Sequence, residues 1–204
     1  PVDLVEEFGV DQVRYFFLRE VPFGQDGSYS EESIITRINT DLANELGNLA
    51  QRSLSMVNKN LDAAVPPPGE LSAEDTELLA IADGLLEKVR AAFDEQAMHQ
   101  ALEAIWLMLG AANRYFSAQE PWVLRKSEAQ ADQERFRTVL YVTLEVVRVA
   151  ALLVQPVMPS SAATLLDLLS QPDSQRDFTA VAVRIAPGTP LPAPVGVFPR
   201  YQVE

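Results

Sequence analysis

Between Ser30 and Lys59 the apolar residues Ile34, Ile35, Ile38, Leu42, Leu46, Leu49 and Val57 recur at helical spacing. That period lines one face of an α-helix and cannot serve a half-buried strand, whose side chains alternate. Ser30 stands at the N-cap, with Glu31 and Glu32 in the first turn, where the helix dipole favours negative charge. A helix of this length needs other helices, or a sheet, to cover its apolar face.

The rest of the chain supplies helices. Asp3 and Asp11 are candidate N-caps for two short pieces, Leu4–Phe8 and Gln12–Arg19, with Gly9 ending the first. The run Pro22-Phe23-Gly24-Gln25-Asp26-Gly27 reads as a loop. Ser72 and Asp75 resemble a capping box that opens a helix to about Phe93. A further helix is expected from about Asp94 to Ala118, with Pro121 stopping it or restarting the next. Ala129–Arg135 is polar, a loop or a helix start, and Phe136–Val154 forms another long helix. Ser160 or Ser161 is expected to cap a last one that ends near Ser170. Pro66-Pro67-Pro68-Gly69 is a stiff connector, and eight of the fourteen prolines fall at or after Pro156. Ile185–Arg200 therefore reads as an extended tail packed along a surface. The expected fold is all-α: a helical bundle over residues 30–170, a short helical connector over 1–29 and an extended Pro-rich tail over 171–204.

Composition removes several chemistries. There is no cysteine and His99 is the sole histidine, so thiolate metal sites and His-based triads have almost nothing to be built from. Adjacent carboxylates such as Glu6/Glu7 and Glu31/Glu32 point apart on a helix and make no acid–base pair. Gly24-Gln25-Asp26-Gly27 lacks the strand–helix context of a phosphate loop. The apolar stretch Val139–Val154 is interrupted by Glu145 and Arg148 and is short of the ~20 residues of a bilayer span, so it reads as a buried bundle helix. No signal peptide opens the chain, and a cytoplasmic location with no membrane partner is expected. A start on Pro1 in mid-pattern suggests a piece of a longer protein. The formal net charge of −13 speaks against a nonspecific phosphate binder, although the acid is concentrated between Glu70 and Glu95.

On a wheel at 100° per residue, Arg37, Asp41, Asn44, Asn48, Gln51, Arg52, Ser55 and Lys59 fall opposite the apolar face of the Ser30 helix. Asn44, Asn48 and Arg52 are four apart and form a line about 12 Å long. Two amides that donate and accept side by side, plus a planar guanidinium fork, suit the edge of a nucleic-acid base. The same pattern also describes the wet face of any amphipathic helix. Gly47 either lets another helix approach or leaves room for a ligand beside Asn48. Trp122, after Pro121, is either a packing residue at a helix junction or a stacking platform for an unpaired base. Trp106 lies in the apolar pattern of Leu102, Ile105 and Leu109 and reads as core.

Three stretches carry a resemblance: Phe17–Ser30 (FLREVPFGQDGSYS), Asp41–Lys59 (DLANELGNLAQRSLSMVNK) and Asn113–Trp122 (NRYFSAQEPW). Together they resemble the C-terminal part of the methionyl-tRNA synthetase family. Val2–Phe17 is similar to the helical segment after that family's lysine-rich ATP loop, and Val197–Arg200 (VFPR) to the tail that closes the core enzyme. The resemblance implies a class Ia anticodon-binding bundle in which Asn44, Asn48 and Arg52 face the CAU anticodon of tRNA(Met), and Pro121 and Trp122 contact its first bases. Many members carry Asp in place of Ser117 and Ala in place of Glu120. The histidine-containing ATP motif and the lysine-rich loop do not occur in these 204 residues. Methionine activation, with ATP and Mg, is thus expected on a separate N-terminal catalytic domain of the same enzyme, residues 1–29 being the connector from it. No metal, no cofactor and no catalytic residue is expected on this chain itself. The bundle of another class Ia synthetase, for leucine, isoleucine, valine or cysteine, and a helical protein-interaction scaffold are the alternatives.

Overall fold

A computed structural model describes residues 2–202, so Pro1, Val203 and Glu204, at the ends of the expected connector and tail, lie outside the described residues. The fold is all-α. Helices α1 (Val2–Phe8) and α2 (Val10–Glu20) are joined at Gly9, whose φ of 87° is one that glycine adopts without strain. Neither Asp3 nor Asp11 is an N-cap: both lie inside their helices. Asp11 instead accepts a hydrogen bond from the backbone N–H of Ser161, 2.6 Å away and 150 residues along the chain. It thereby satisfies a free donor in the first turn of α10 (Pro159–Leu168), for which neither Ser160 nor Ser161 is the cap.

The Ser30 cap is present, and the Ser33 side chain accepts in return from the Ser30 N–H. The long helix that follows changes geometry in its middle. After α3 (Glu31–Arg37), residues Ile38–Gly47 wind as a π-helix before α4 (Asn48–Asn60) resumes the ordinary turn. The Asn48 N–H reaches back five residues, to the Ala43 carbonyl. Two side chains of α7 (Met98–Gln119) donate to backbone carbonyls of the widened turns: Trp106 Nε1 to Asp41 O at 3.2 Å and Asn113 Nδ2 to Glu45 O at 3.3 Å. A wider turn advances each residue by less than 100°, so a wheel drawn for an α-helix misplaces side chains here. Asp41 shows it: expected on the wet face, it is buried, and its carboxylate accepts from Tyr15 Oη at 2.6 Å and Arg37 at 3.3 Å.

The capping box at Ser72 and Asp75 opens α5 (Ala73–Asp83), but Gly84 divides the expected single helix, and α6 (Leu85–Asp94) follows. The turn before α7 runs through Gln96, at a φ of 58°. Helix α8 (Pro121–Leu124) is one turn, and α9 (Gln130–Val154) begins earlier than the apolar pattern alone suggests. Every residue of α9 from Thr138 to Val154 is buried, including Glu145 and Arg148. A helix apolar on all sides must sit at the centre of its bundle, and α4, α5, α7 and α10 surround it.

Those two charges do more than pair. Arg148 donates to Glu145 at 2.7 Å and to the Ala180 carbonyl at 2.8 Å, while Glu145 accepts from the Ile185 N–H. They tie the 3₁₀ turn Phe178–Ala182 and the start of the tail to the core. Further on, the tail pairs with the segment after α4: Val65 N–H to Thr189 O at 2.9 Å and Leu191 N–H to Ala63 O at 2.7 Å. Phe198, 8% exposed, lies against Gly47, where an added Cβ would stand 3.2 Å from its ring. The space beside Gly47 is therefore filled by the extended tail, not by a second helix or left open for a ligand. Among the described residues, no helix is long and apolar enough to cross a membrane.

Candidate nucleic-acid interface

Asn48 and Arg52 lie within the regular turns of α4 and keep their four-residue relation on one face. Asn44 lies in the π-helical part, exposed, and its Oδ1 accepts from the guanidinium of Arg200 in the tail. Tyr201 holds that tail end in place by pairing its backbone N–H and C=O with the Asn39 amide, at 3.0 and 2.8 Å. The stripe therefore has two neighbourhoods, the tail at Asn44 and an aromatic corner at Arg52.

The corner is made by the end of α7 and by α8. Glu120 adopts φ 44° and ψ 55°, a left-handed conformation that stops α7, and Pro121 occupies the first turn of α8, where its missing N–H costs nothing. Gln133 of α9 donates to the carbonyls of Leu124 and Ser127 at 3.3 and 2.6 Å, which pins the far side of the turn. Trp122 is thus half-buried, its ring 6.3 Å from that of Phe116. The Arg52 guanidinium lies over both, 4.8 Å from the Phe116 centroid and 5.4 Å from that of Trp122. Guanidinium on aromatic faces is a favourable contact that leaves the Arg donors available at the ring edges. Among the described residues Arg52 makes no ion pair, and Asn48, one turn away and half-buried, makes no side-chain hydrogen bond. One free amide, one guanidinium and one half-buried indole are therefore together.

Immediately before this corner, Asp75 of α5 accepts from Tyr115 Oη at 2.5 Å, from both terminal nitrogens of Arg135 and from the Ser72 N–H. Burial opposes the Asp75 charge, but these donors outweigh it and hold the carboxyl below its usual range. Burial, then the neighbouring carboxylate, push the Tyr115 phenol far up, so it stays a neutral donor. Arg135 also donates through Nε to Gln119, the last residue of α7, at 2.9 Å. The network fixes α7 against α5 and α9 at the residues that precede Trp122.

Phe116 and Arg200 were not among the sequence candidates. Phe116 sits inside the motif Asn113–Trp122, next to Tyr115, and Arg200 inside the VFPR stretch; only their partners reveal what they do. Among the described residues no group of acidic or histidine side chains could hold a metal ion.

Comparison with known proteins agrees with this architecture. Residues 65–203 match the family model of the anticodon-binding domain of methionyl tRNA ligase, and residues 1–54 match that of the class I tRNA synthetases for methionine. The chain is 75% identical over 202 residues to the methionine–tRNA ligase of Mycobacterium tuberculosis, and 56% identical to that of Brucella melitensis. The match covers 99% of this chain and 39% of the Mycobacterium relative, so the chain spans about two fifths of its length. The structure superimposes with a TM-score of 0.98 on the free-state crystal structure of Mycobacterium tuberculosis methionyl-tRNA synthetase, at 74% identity, covering 100% of this chain and 41% of that one. Asn44, Asn48 and Arg52 fall in the segment matched by the synthetase model, Pro121 and Trp122 in that matched by the anticodon-binding model. The chain belongs to the methionyl-tRNA ligase family and comprises its anticodon-binding region.

Proposed function

We propose that this chain reads the CAU anticodon of tRNA(Met) for a methionine–tRNA ligase, through Asn44, Asn48, Arg52, Pro121 and Trp122. The observation that carries the reading is the Arg52 guanidinium lying over Phe116 and Trp122 with the free amide of Asn48 one turn away. Anticodon bases can be unstacked from their loop, and proteins read such bases by hydrogen bonds to their Watson–Crick edges and by stacking on their faces. Trp122 supplies a face, and Asn48 and Arg52 supply donors and an acceptor. Asn44, with its Oδ1 engaged by Arg200, is left with its amino group as a donor. Pro121 sets the turn that places the indole.

Activation of methionine with ATP and Mg, and transfer to the tRNA, belong in this proposal to an N-terminal catalytic domain outside these 204 residues. A solved Mycobacterium tuberculosis relative, of which this chain covers 39%, is in complex with methionyl-adenylate, which supports activation by the whole enzyme. Residues 1–29 are the connector to that domain, 30–170 the reading bundle and 171–204 the tail folded back upon it, and the whole works in the cytoplasm. The test is competition for the full-length ligase between a methionine tRNA transcript and the same transcript with its anticodon changed. The changed transcript should compete poorly; equal competition refutes the reading and favours a helical scaffold with a solvated stripe.

A further inference from the structure

The chain carries 29 acidic and 16 basic residues, so any surface that repels the RNA backbone less than the rest stands out. Five cations are candidates for backbone contacts: Arg37, Lys59, Arg114, Arg125 and Lys126, of which Lys126 is exposed but does not line the groove of Lys59 and Arg125. The structure separates them. Arg37 is paired with Glu20 at 2.6 Å and with Asp41 at 3.3 Å. Arg114 lines a different groove, between α5 and α7, in the company of Glu74 and Glu77. Lys59 and Arg125 are exposed, make no ion pair among the described residues, and line one open groove of about 270 Å³ together with Arg52, Gln51 and Ser55. Among the described residues no carboxylate lines that groove.

Its position matters as much as its charge. The groove begins at Arg52, whose guanidinium lies over Trp122, and runs along α4 towards its C-terminal end. Lys59 is seven residues beyond Arg52, a rise of about 10 Å. Arg125 follows directly on the one-turn helix that carries Trp122, so the groove has α4 on one wall and Arg125 on the other. Gln51 turns its amino group to Ser55 Oγ at 3.2 Å along the same wall.

We propose that this groove is a backbone subsite of the RNA: Lys59 and Arg125 take the phosphates flanking the nucleotide stacked on Trp122, independently of base identity. The inference rests on the anticodon reading above and adds to it a sequence-blind contact. The experiment is the affinity of the full-length ligase for a methionine tRNA transcript, measured by fluorescence anisotropy between 50 and roughly 300 mM salt, where each single-strand phosphate contact adds about 0.7 to the log–log slope. The Lys59→Gln/Arg125→Gln double variant should lose about 1.4 of that slope, and lose it equally with an anticodon-changed transcript. Lys88→Gln/Arg90→Gln on α6 removes the same charge elsewhere and should leave the slope unchanged. An unaltered slope in the groove variant, or an equal drop in the α6 variant, overturns the subsite. If instead the wild-type enzyme fails to distinguish the two transcripts, the anticodon reading fails, whatever the slopes.

Discussion

Replacing Asp75 by Asn tests whether the bundle presents Trp122 through the buried network behind it. Asp75 is fully buried and accepts from Tyr115, twice from Arg135 and from the Ser72 N–H. Asn keeps the shape but offers one acceptor and two donors, and it leaves Arg135 without its counter-charge. Removing one partner of a buried pair costs about 3–5 kcal/mol. The Arg135 side chain is 22% exposed and water can partly solvate it, so a discounted cost of about 2–3 kcal/mol is expected. For a chain of this size that lowers the melting temperature by roughly 4–12 °C. The pH dependence carries a sign. The folded-state pKa of Asp75 is depressed, so its contribution is present above the unfolded carboxylate value near ~4 and is lost as pH falls through the folded value. The stability gap between wild type and Asp75→Asn, followed by urea titration, should therefore be widest at neutral pH and close on acidification. A gap under ~1 kcal/mol, or one independent of pH between 3 and 7, refutes the reasoning.

Glu145→Gln should cost about 3–5 kcal/mol, since it leaves Arg148 charged and buried. Hydrogen exchange should show the added loss of protection concentrated at Ile185 and the 3₁₀ turn 178–182, which that pair holds; uniform loss across the bundle argues against the clamp. Glu120→Gly should raise stability by about 0.5–1 kcal/mol, because the left-handed conformation there costs an L-residue more than glycine loses in unfolded-state freedom. A destabilised variant shows that the Glu side chain contributes contacts of its own.

What was legible in the sequence is local. Ser30, and Ser72 with Asp75, announced their caps because capping needs a side chain only three residues from its partner. Pro121 and Trp122 announced a junction, and the helical period announced the all-α class. Three things were not legible. The π-helical turns at Ile38–Gly47 depend on donors from Trp106 and Asn113, about 65 residues away, so a fixed 100° wheel put Asp41 on the wrong face. Asp11 looked like a cap for its own helix and caps another 150 residues on. The tail's composition predicted extended chain but carried no sign that Arg200 meets Asn44 or that Phe198 fills the space beside Gly47. At the site, Arg52 and Trp122 were each visible in the sequence. Their meeting over Phe116 was not, since it requires the left-handed turn at Glu120.

The most direct test of the central claim is Trp122→Ala in the full-length ligase, assayed for aminoacylation and for methionine-dependent ATP–pyrophosphate exchange. Loss of one base stack is worth about 1–3 kcal/mol, or about 5- to 150-fold in aminoacylation efficiency. The exchange reaction needs no tRNA and should stay within about twofold of wild type, a difference of only ~0.4 kcal/mol. Equal loss in both reactions, or no loss in either, contradicts the assignment of Trp122 to the anticodon.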